Sequence, residues 1–528
     1  MIKETDNIYI KYNKLEANYK ELTKINCSLN MQIKNLKAEN ESLKKQIKNF
    51  EIKTQELIDK SINLVEVKFN KIIAAKDKEI ARLNAIINND STNSGLPTSM
   101  TPLSKNKRIP NTRQKTDKKI GGQLGHLKYK LKKFNDDEVT EIQEHIEKVC
   151  PNCGSKDIKV LETSIIKDEI DYEVKLISRR HKFNNYSCPK CGETFHALIP
   201  ENLKEENQYG SNVQALCVTL TNEIYTPFNK SKKLLSGMTN NTIEVSEGYI
   251  VKLQLRASKL LSEFIINLRK EIIKQNILYW DETNMIADKK RSCLRFYGTE
   301  KLAFFTAHTN KNKDSIDLDG VLSNLKNTTF MMHDHVLLNY NKEYSYNNIE
   351  CMIHLIRRLI KMKENTNNHS WCIKLINLLS KTNDERNKLL LNNILSFDKL
   401  YLEKVNKEYD DLILLGFEES KQDKYKYFDK EENHLLDDLI KYKNSYLLWI
   451  ENFALPSTNN LSERSLRPIK SKMKISGQFK NIDYAEYHAT IRSYIETCKR
   501  NNINVHIAVK RLLEKNPYTL EEILTYNV

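Results

Sequence analysis

Three acidic residues, Asp281, Asp334 and Glu463, stand where a chain could use them as metal ligands. Asp281 follows an apolar run, Ile277-Leu278-Tyr279-Trp280, that reads as a short buried strand with the acid at its end. Asp334 follows a second such run, Phe330-Met331-Met332-His333. Glu463 comes three residues after Asn460, in the first turn of a predicted helix, where it also suits the last position of a capping box. Singly, each acid has an ordinary structural explanation as a strand end or a helix cap. Together, three carboxylates form a donor set for a hard divalent cation such as Mg²⁺, which prefers oxygen.

A second set of residues points to a different metal. Cys150-Pro-Asn-Cys153-Gly154 and Cys188-Pro-Lys-Cys191-Gly192 are two knuckles, each with thiolates three residues apart and a glycine that permits the tight turn. Cys150, Cys153, Cys188 and Cys191 would fill all four positions of a tetrahedral Zn²⁺, which makes the site structural. The alternation from Ile170 to Leu176 reads as strands of a zinc ribbon between the knuckles. His181 and His196 lie nearby and read as surface or packing residues.

These sites need elements to hold them. Leu15, Leu22, Leu29, Leu36, Leu43, Phe50, Leu57 and Leu64 recur every seventh residue, with Tyr12, Tyr19, Ile33 and Ile47 as partners and Asn26 and Asn40 interrupting. That is a coiled-coil seam, and a dimer is the expected form. From Phe69 to Ile87 the pattern changes register. Asn88 to Pro110 reads as a linker. Val213 to Leu220, Phe228 to Leu235 and Ser246 to Leu261 read as helices, with a turn around Gly237 between the last two. That order suits a helix-turn-helix and ordinary helical packing equally. After Asp281, the runs Cys293–Gly298 and Leu302–Ala307 read as a hairpin, and the run into Asp334 supplies a fourth strand. A three-strand meander followed by a fourth strand, with acids on the first and fourth, is an RNase H-like pattern. The 129 positions between Asp334 and Glu463 (463 − 334) exceed a minimal core of that kind, and helical patterns fill residues 349 to 453.

With 528 residues and a formal charge of +16, the chain favours a polyanionic partner, and nucleic acid over membrane because no long apolar span is present. Eleven Lys and Arg between Lys105 and Lys133 stand against the single acid Asp117, which suits phosphate contact without sequence readout. Ten cysteines without a disulfide-like framework, and no apolar leader in Met1 to Asp6, imply a reduced, cytosolic setting.

Over almost its whole length the chain resembles the IS66-type DDE transposases. The resemblance rests on the leading heptads, the linker from Asn88 to Met100, Gly121-Gly122-Gln123 with Gly125-His126, and the paired knuckles. It also rests on Asp281-Glu282-Thr283, His333-Asp334-His335, Cys351-x-x-His354, and Asn459-Asn460-x-x-Glu463-Arg464-x-Leu466-Arg467-Pro468-x-Lys470 with Lys474-Ile475-Ser476-Gly477. Where the family often continues Cys351-x-x-His354 with a second histidine and an acid, this chain has Leu355 and Arg358.

The resemblance implies that Asp281, Asp334 and Glu463 are catalytic and bind two Mg²⁺ (or Mn²⁺), Asp281 bridging them. Water would free a 3′-hydroxyl at each element end, and that hydroxyl would attack target DNA. Structural Zn²⁺ would sit in the ribbon. Lys105, Lys107, Arg108, Arg113, Lys118 and Lys119 are candidate DNA contacts, as are Arg464, Arg467, Lys470 and Lys474, with Lys472 and Lys480 in the same basic strip. Arg467 reads as a phosphate clamp or an ion-pair partner of Glu463, and Pro468 as the end or kink of its helix.

The implied architecture is a multidomain α+β chain. It comprises a coiled coil (1–90), basic linker (91–135), zinc ribbon (136–205), helical DNA-binding segment (206–265), RNase H-like core in two parts (266–348 and 455–500), all-helical insertion (349–454) and C-terminal helical tail (501–528). Its partners would be element-end and target DNA, a second copy of the chain and accessory element-encoded proteins, in a bacterial cytoplasm beside the nucleoid. The alternatives are an inactive zinc-containing DNA-binding protein of transposon origin, and a nuclease or resolvase on the same fold.

Overall fold

A computed structural model describes residues 2–90, 125, 132–200, 203, 205–366, 369–422 and 429–526. The chain forms two compact units, one holding Met1–Asn89 with Glu364–Asn368 and Gln422–Glu432, the other holding the remainder. The predicted linker beyond Asp90, and with it Lys105, Lys107, Arg108, Arg113, Lys118 and Lys119, lies outside the described residues. Among the described residues no helix is long and apolar enough to cross a membrane.

In the first unit, α1 (Ile2–Asn88) is one helix of 87 residues. Neither Pro nor Gly interrupts it, and at 1.5 Å per residue it extends for about 130 Å. Among the described residues nothing covers its heptad leucines: Leu22 is 64 % and Leu57 65 % exposed. Asn30 donates to Asn26 along the helix at 3.1 Å.

The described residues of the second unit before residue 205 hold little regular structure. β1 (Asn185–Ser187) and β2 (Thr194–His196) form a small antiparallel hairpin around the second knuckle. The strand expected over residues 170–176 is absent. Alternating side chains do not make a strand where no neighbouring backbone receives its hydrogen bonds, and that segment is exposed throughout.

From residue 205 the chain packs. α2 (Ser211–Asn222), α3 (Phe228–Met238), α4 (Glu247–Leu260) and α5 (Ser262–Ile273) follow the predicted helices, with Ser246 capping α4 through the Tyr249 amide at 3.0 Å. Gly237, expected in the turn, is inside α3. The reversal occurs at Asn240 and Asn241, whose φ values of 46° and 60° are left-handed, a conformation asparagine tolerates.

The sheet comes next. β3 (Ile277–Ala287), β4 (Lys290–Gly298) and β5 (Ala303–His308) make an antiparallel meander. After α6 (Lys313–Asp319), β6 (Phe330–His333) returns parallel to β3, and β7 (Asn347–Glu350) lies parallel to β6. The order across the sheet is β5-β4-β3-β6-β7. Asp281 is mid-strand rather than at a strand end, because β3 runs six residues further to Ala287. Those residues alternate, with Thr283, Met285 and Ala287 buried and Asn284 and Ile286 exposed. They reach β4 through a two-residue turn in which Asp288 and Lys289 both have positive φ, 50° and 60°, as a type I′ hairpin requires.

Five helices follow, as the helical patterns predicted: α7 (Met352–Asn365), α8 (Ser370–Leu391), α9 (Lys399–Gln422), α10 (Asp429–Lys441) and α11 (Lys443–Glu451). Trp371, Tyr409 and Trp449 are fully buried among them, and Arg386 donates to the Phe453 and Leu455 carbonyls at 2.8 Å each. α12 (Asn460–Ser476) carries Glu463. It continues through Pro468 to Ser476 instead of stopping there. Proline removes one backbone bond, while Leu461, Leu466 and Ile469 hold the helix by packing against Met285, Ala287 and Leu294 of the sheet.

α13 (Ile482–Arg500) covers the open edge of β5, where Ser493 and Thr497 hydroxyls accept from the Phe305 and Ala303 amides at 2.8 and 3.2 Å. An uncovered strand edge invites pairing with another chain. α14 (Val505–Leu513) and α15 (Leu520–Leu524) are no loose tail: Val509, Leu512 and Ile523 share one core with Val218, Ile250, Leu268 and Trp280.

Candidate active site

The register of the two central strands brings two acids together. Ile277, Leu278 and Tyr279 pair with Phe330, Met331 and Met332, an offset of 53 (330 − 277). The same offset leads from Asp281 to Asp334, the first residue after β6. Side chains alternate along a strand, so Asp281 shares a face with Tyr279 and Met285, the face that α12 covers. Glu282 faces the other way, into ion pairs with Arg295 at 3.3 Å and Lys311 at 2.8 Å.

Asn459, which precedes α12 and is fully buried, ties the third acid to the first two. Its side-chain amide donates to the Trp280 carbonyl at 3.0 Å and to Asp334 Oδ1 at 3.4 Å. Its own carbonyl accepts from the Glu463 amide at 3.2 Å, and no capping box forms at this helix start. Burial and then the charges of Asp334 and Glu463 push the Asp281 carboxyl up to about 8, although the Glu282 amide donates to it at 2.7 Å. Burial also opposes ionisation of Asp334, but His354 and Asn459 hold its carboxyl below the ordinary value.

His354 is the residue whose place the sequence left open. It stands in the first turn of α7, with Nδ1 2.9 Å from Asp334 Oδ1 and Nε2 3.8 Å from Glu463 Oε1. Arg357 Nη1 lies 3.4 Å from that same Nε2. Cys351, just before α7, is buried, and its sulfur accepts from the Asn459 amide at 3.3 Å. The family-like Cys351-x-x-His354 pair is therefore part of the acid cluster; the sequence signalled it by that resemblance and by a spacing of one helical turn, which could bind metal or mark a buried structural pair.

The neighbouring histidines do not join the acids. His333 contacts the Asp334 carbonyl at 2.8 Å and Asn348 at 2.7 Å. His335 turns to Glu350 at 2.8 Å and Asp438 at 3.3 Å, within a network that includes Tyr340, Tyr446 and Arg358. Arg358 is occupied there, with Asp438 at 2.6 Å.

Chemically, three carboxylates from three separate elements lie close enough for the charges of Asp334 and Glu463 to act on Asp281, although among the described residues the three are not drawn together within 4.8 Å as a metal group. A family model described as the transposase IS66 family matches residues 206–487, more than half of the chain. The chain belongs to the IS66 transposase family. No curated protein matches it. As an IS66-family member it has a transposase role, a class of enzymes that cut and transfer DNA and in general use divalent metal.

The remaining predicted residues of this IS66-family chain fall in two places. On α12, Arg464, Arg467, Lys470 and Lys474 are exposed along one side of the helix. Lys472 is not in that strip: it is buried over the Phe479 ring, and burial lowers its amine to about 8. Arg467 keeps a 3.7 Å contact with Glu463.

The two knuckles are each formed. Gly154 and Gly192 are left-handed, at φ 74° and 73°, and their amides donate to the Cys150 and Cys188 carbonyls at 2.8 Å. The Asn152 and Cys153 amides hold the Cys150 thiol below its usual value, and those of Cys191 and Lys190 do the same for Cys188. That chemistry fits a thiolate-binding metal. Among the described residues, however, the group of three or more metal-capable side chains drawn within 4.8 Å is Asp334, Cys351 and His354, and the four knuckle cysteines are not so gathered.

Proposed function

We propose that this chain is an insertion-sequence transposase whose Asp281, Asp334 and Glu463 form a three-acid site for Mg²⁺ or Mn²⁺. The observation that carries this reading is the pair of links among the acids: Asn459 bridges the strand of Asp281 to the Asp334 side chain, and His354 lies between Asp334 and Glu463. The strand order β5-β4-β3-β6-β7, antiparallel then parallel, supports an RNase H-like core from 266–348 and 455–500, interrupted by a helical insertion over 349–454. Bound there, divalent metal would activate the attacking oxygen and steady the leaving oxygen of a phosphodiester. The protein's own part is positional. β3 and β6 set the spacing of Asp281 and Asp334, α12 delivers Glu463, and Asn459 and His354 restrain Asp334.

Arg464, Arg467, Lys470 and Lys474 would lie along a DNA backbone next to the acids, joined by Lys105, Lys107, Arg108, Arg113, Lys118 and Lys119. Such contacts position the duplex without reading it. Residues 136–205 would close around Zn²⁺ through Cys150, Cys153, Cys188 and Cys191, and residues 206–265 would add further DNA contact. Within residues 501–528, α14 and α15 also complete the core. The setting is the bacterial cytoplasm.

The test is to supply purified protein with element-end DNA and Mg²⁺. New 3′-hydroxyl ends and joined products are expected, both lost in EDTA. Ends without joining would favour a nuclease, DNA binding alone would favour the inactive reading, and cleavage that persists in EDTA would sink the metal site.

The exposed seam of α1 calls for a second copy of the chain as a parallel coiled coil, with Asn26 and Asn40 setting register. Sedimentation at micromolar concentration should give a dimer or higher species. Leu29→Asp with Leu36→Asp should convert it to monomer, and a monomeric unsubstituted chain would discard the idea.

A further inference from the structure

The group formed by Asp334, Cys351 and His354 has a chemistry that the three acids lack. Its possible ligand atoms, one carboxylate oxygen, one thiol sulfur and one imidazole nitrogen, all lie within 4.8 Å of one another. Mg²⁺ has no use for sulfur, whereas a thiolate with an imidazole and a carboxylate selects a borderline metal of the zinc class. We propose that Asp334, Cys351 and His354 form a Zn²⁺ site, with three protein ligands and an open fourth position.

Several features of the surroundings support this assignment. The ligands come from two elements held together by backbone: the Cys351 amide donates to the His333 carbonyl at 3.1 Å, fixing the start of α7 against the end of β6. Cys351 sits just before the N-terminus of α7, and its sulfur receives the Asn459 amide at 3.3 Å, which fixes its direction toward Asp334 and His354. Around a tetrahedral zinc, ligand atoms at about 2.0–2.3 Å from the metal stand roughly 3.3–3.7 Å apart. Asp334 Oδ1 and His354 Nδ1, at 2.9 Å, would open by less than an ångström. With Nδ1 on the metal, Nε2–H would turn to Glu463 Oε1, now 3.8 Å away, and a carboxylate behind a ligating histidine is the usual second partner. Arg357, 3.4 Å from Nε2, would shift toward the same carboxylate. Asp281 and Glu463, the two acids nearby that are not ligands, offset the added positive charge.

Asp334 belongs to both this site and the proposed Mg²⁺ site. Zinc would therefore compete with the activating metal for Asp334 and lower Mg²⁺-supported cleavage. That consequence rests on the three-acid reading; the zinc site itself does not.

The deciding measurement is metal content, independent of activity. A full-length chain carrying Cys150→Ser and Cys188→Ser loses ligands only in the sparsely packed segment before residue 205 and should fold normally. Dialysed against micromolar Zn²⁺, it should retain one zinc per protomer, and with Co²⁺ it should show a thiolate charge-transfer band. Adding Cys351→Ser should remove both, and adding His354→Gln should remove the zinc. No zinc on the parent variant, or zinc and band unchanged by Cys351→Ser, overturns the proposal. Comparing the unsubstituted chain with the parent variant reports separately on the ribbon, and cleavage in Mg²⁺ reports separately on the acids.

Discussion

Replacing Asp281 with Asn should lower Mg²⁺-dependent cleavage of element-end DNA by on the order of 10²–10⁴-fold, since a lost metal ligand forfeits several kcal/mol of transition-state stabilisation at about 1.36 kcal/mol per factor of ten. Asn keeps the shape of Asp and an oxygen for the Glu282 amide, now 2.7 Å away. The strand should therefore hold. Burial and the neighbouring Asp334 and Glu463 charges already disfavour the Asp281 carboxylate. Removing one of three repelling acids should leave the melting temperature unchanged or raise it, a common trade at functional sites. Asp334→Asn and Glu463→Gln should match the rate loss, and the triple variant should be little worse than any single one, because the residues act as a unit. Gel assays of cleavage and joining check this. Products at the unsubstituted rate from Asp281→Asn would remove it from the catalytic set.

Replacing Arg295 with Ala should destabilise the second unit by about 3–5 kcal/mol, the range for breaking a buried ion pair on one side. Arg295 is fully buried on β4, directly across from Glu282 in the register. Its guanidinium meets Glu282 at 3.3 Å and Asp319 at 3.2 Å, and it donates to the Ser315 carbonyl at 2.9 Å and the Ser315 hydroxyl at 2.7 Å. Truncation leaves Asp319 buried with only Tyr297 at 2.8 Å and His308 at 2.6 Å. The urea midpoint, followed by tryptophan fluorescence, should fall with an unchanged slope. Adding Asp319→Ala to the variant should recover part of the loss, because the orphaned charge is then gone. An unchanged midpoint for Arg295→Ala would show that this network contributes little.

Much of the chain could be read before folding. The heptads of α1, the helices from Ser211 to Leu260, the β4–β5 hairpin and the helices from Met352 to Glu451 all follow from periodicity. That works where one face of an element is apolar at a regular interval. It failed where backbone partners decide. β7, Asn347-Asn348-Ile349-Glu350, has no strand pattern, and it is a strand because β6 offers it parallel hydrogen bonds. The far half of β3 was hidden because Asp288 and Lys289 make its turn without glycine. Residues 170–176 alternated properly and found no partner.

By itself, the sequence determined which residue types are available: three acids, two cysteine knuckles, a basic surface and a heptad seam. It also settled the family, because motifs in a fixed order need no coordinates. Only the tertiary structure decided the grouping. The parallel register of β3 and β6 sets Asp281 level with Asp334, and the start of α12 brings Glu463 to them. Folding α7 back from β7 places His354 between Asp334 and Glu463, though it lies 20 and 109 positions from them (354 − 334 and 463 − 354). Such contacts depend on strand register and helix packing across long loops, and side-chain spacing along the chain carries no record of either.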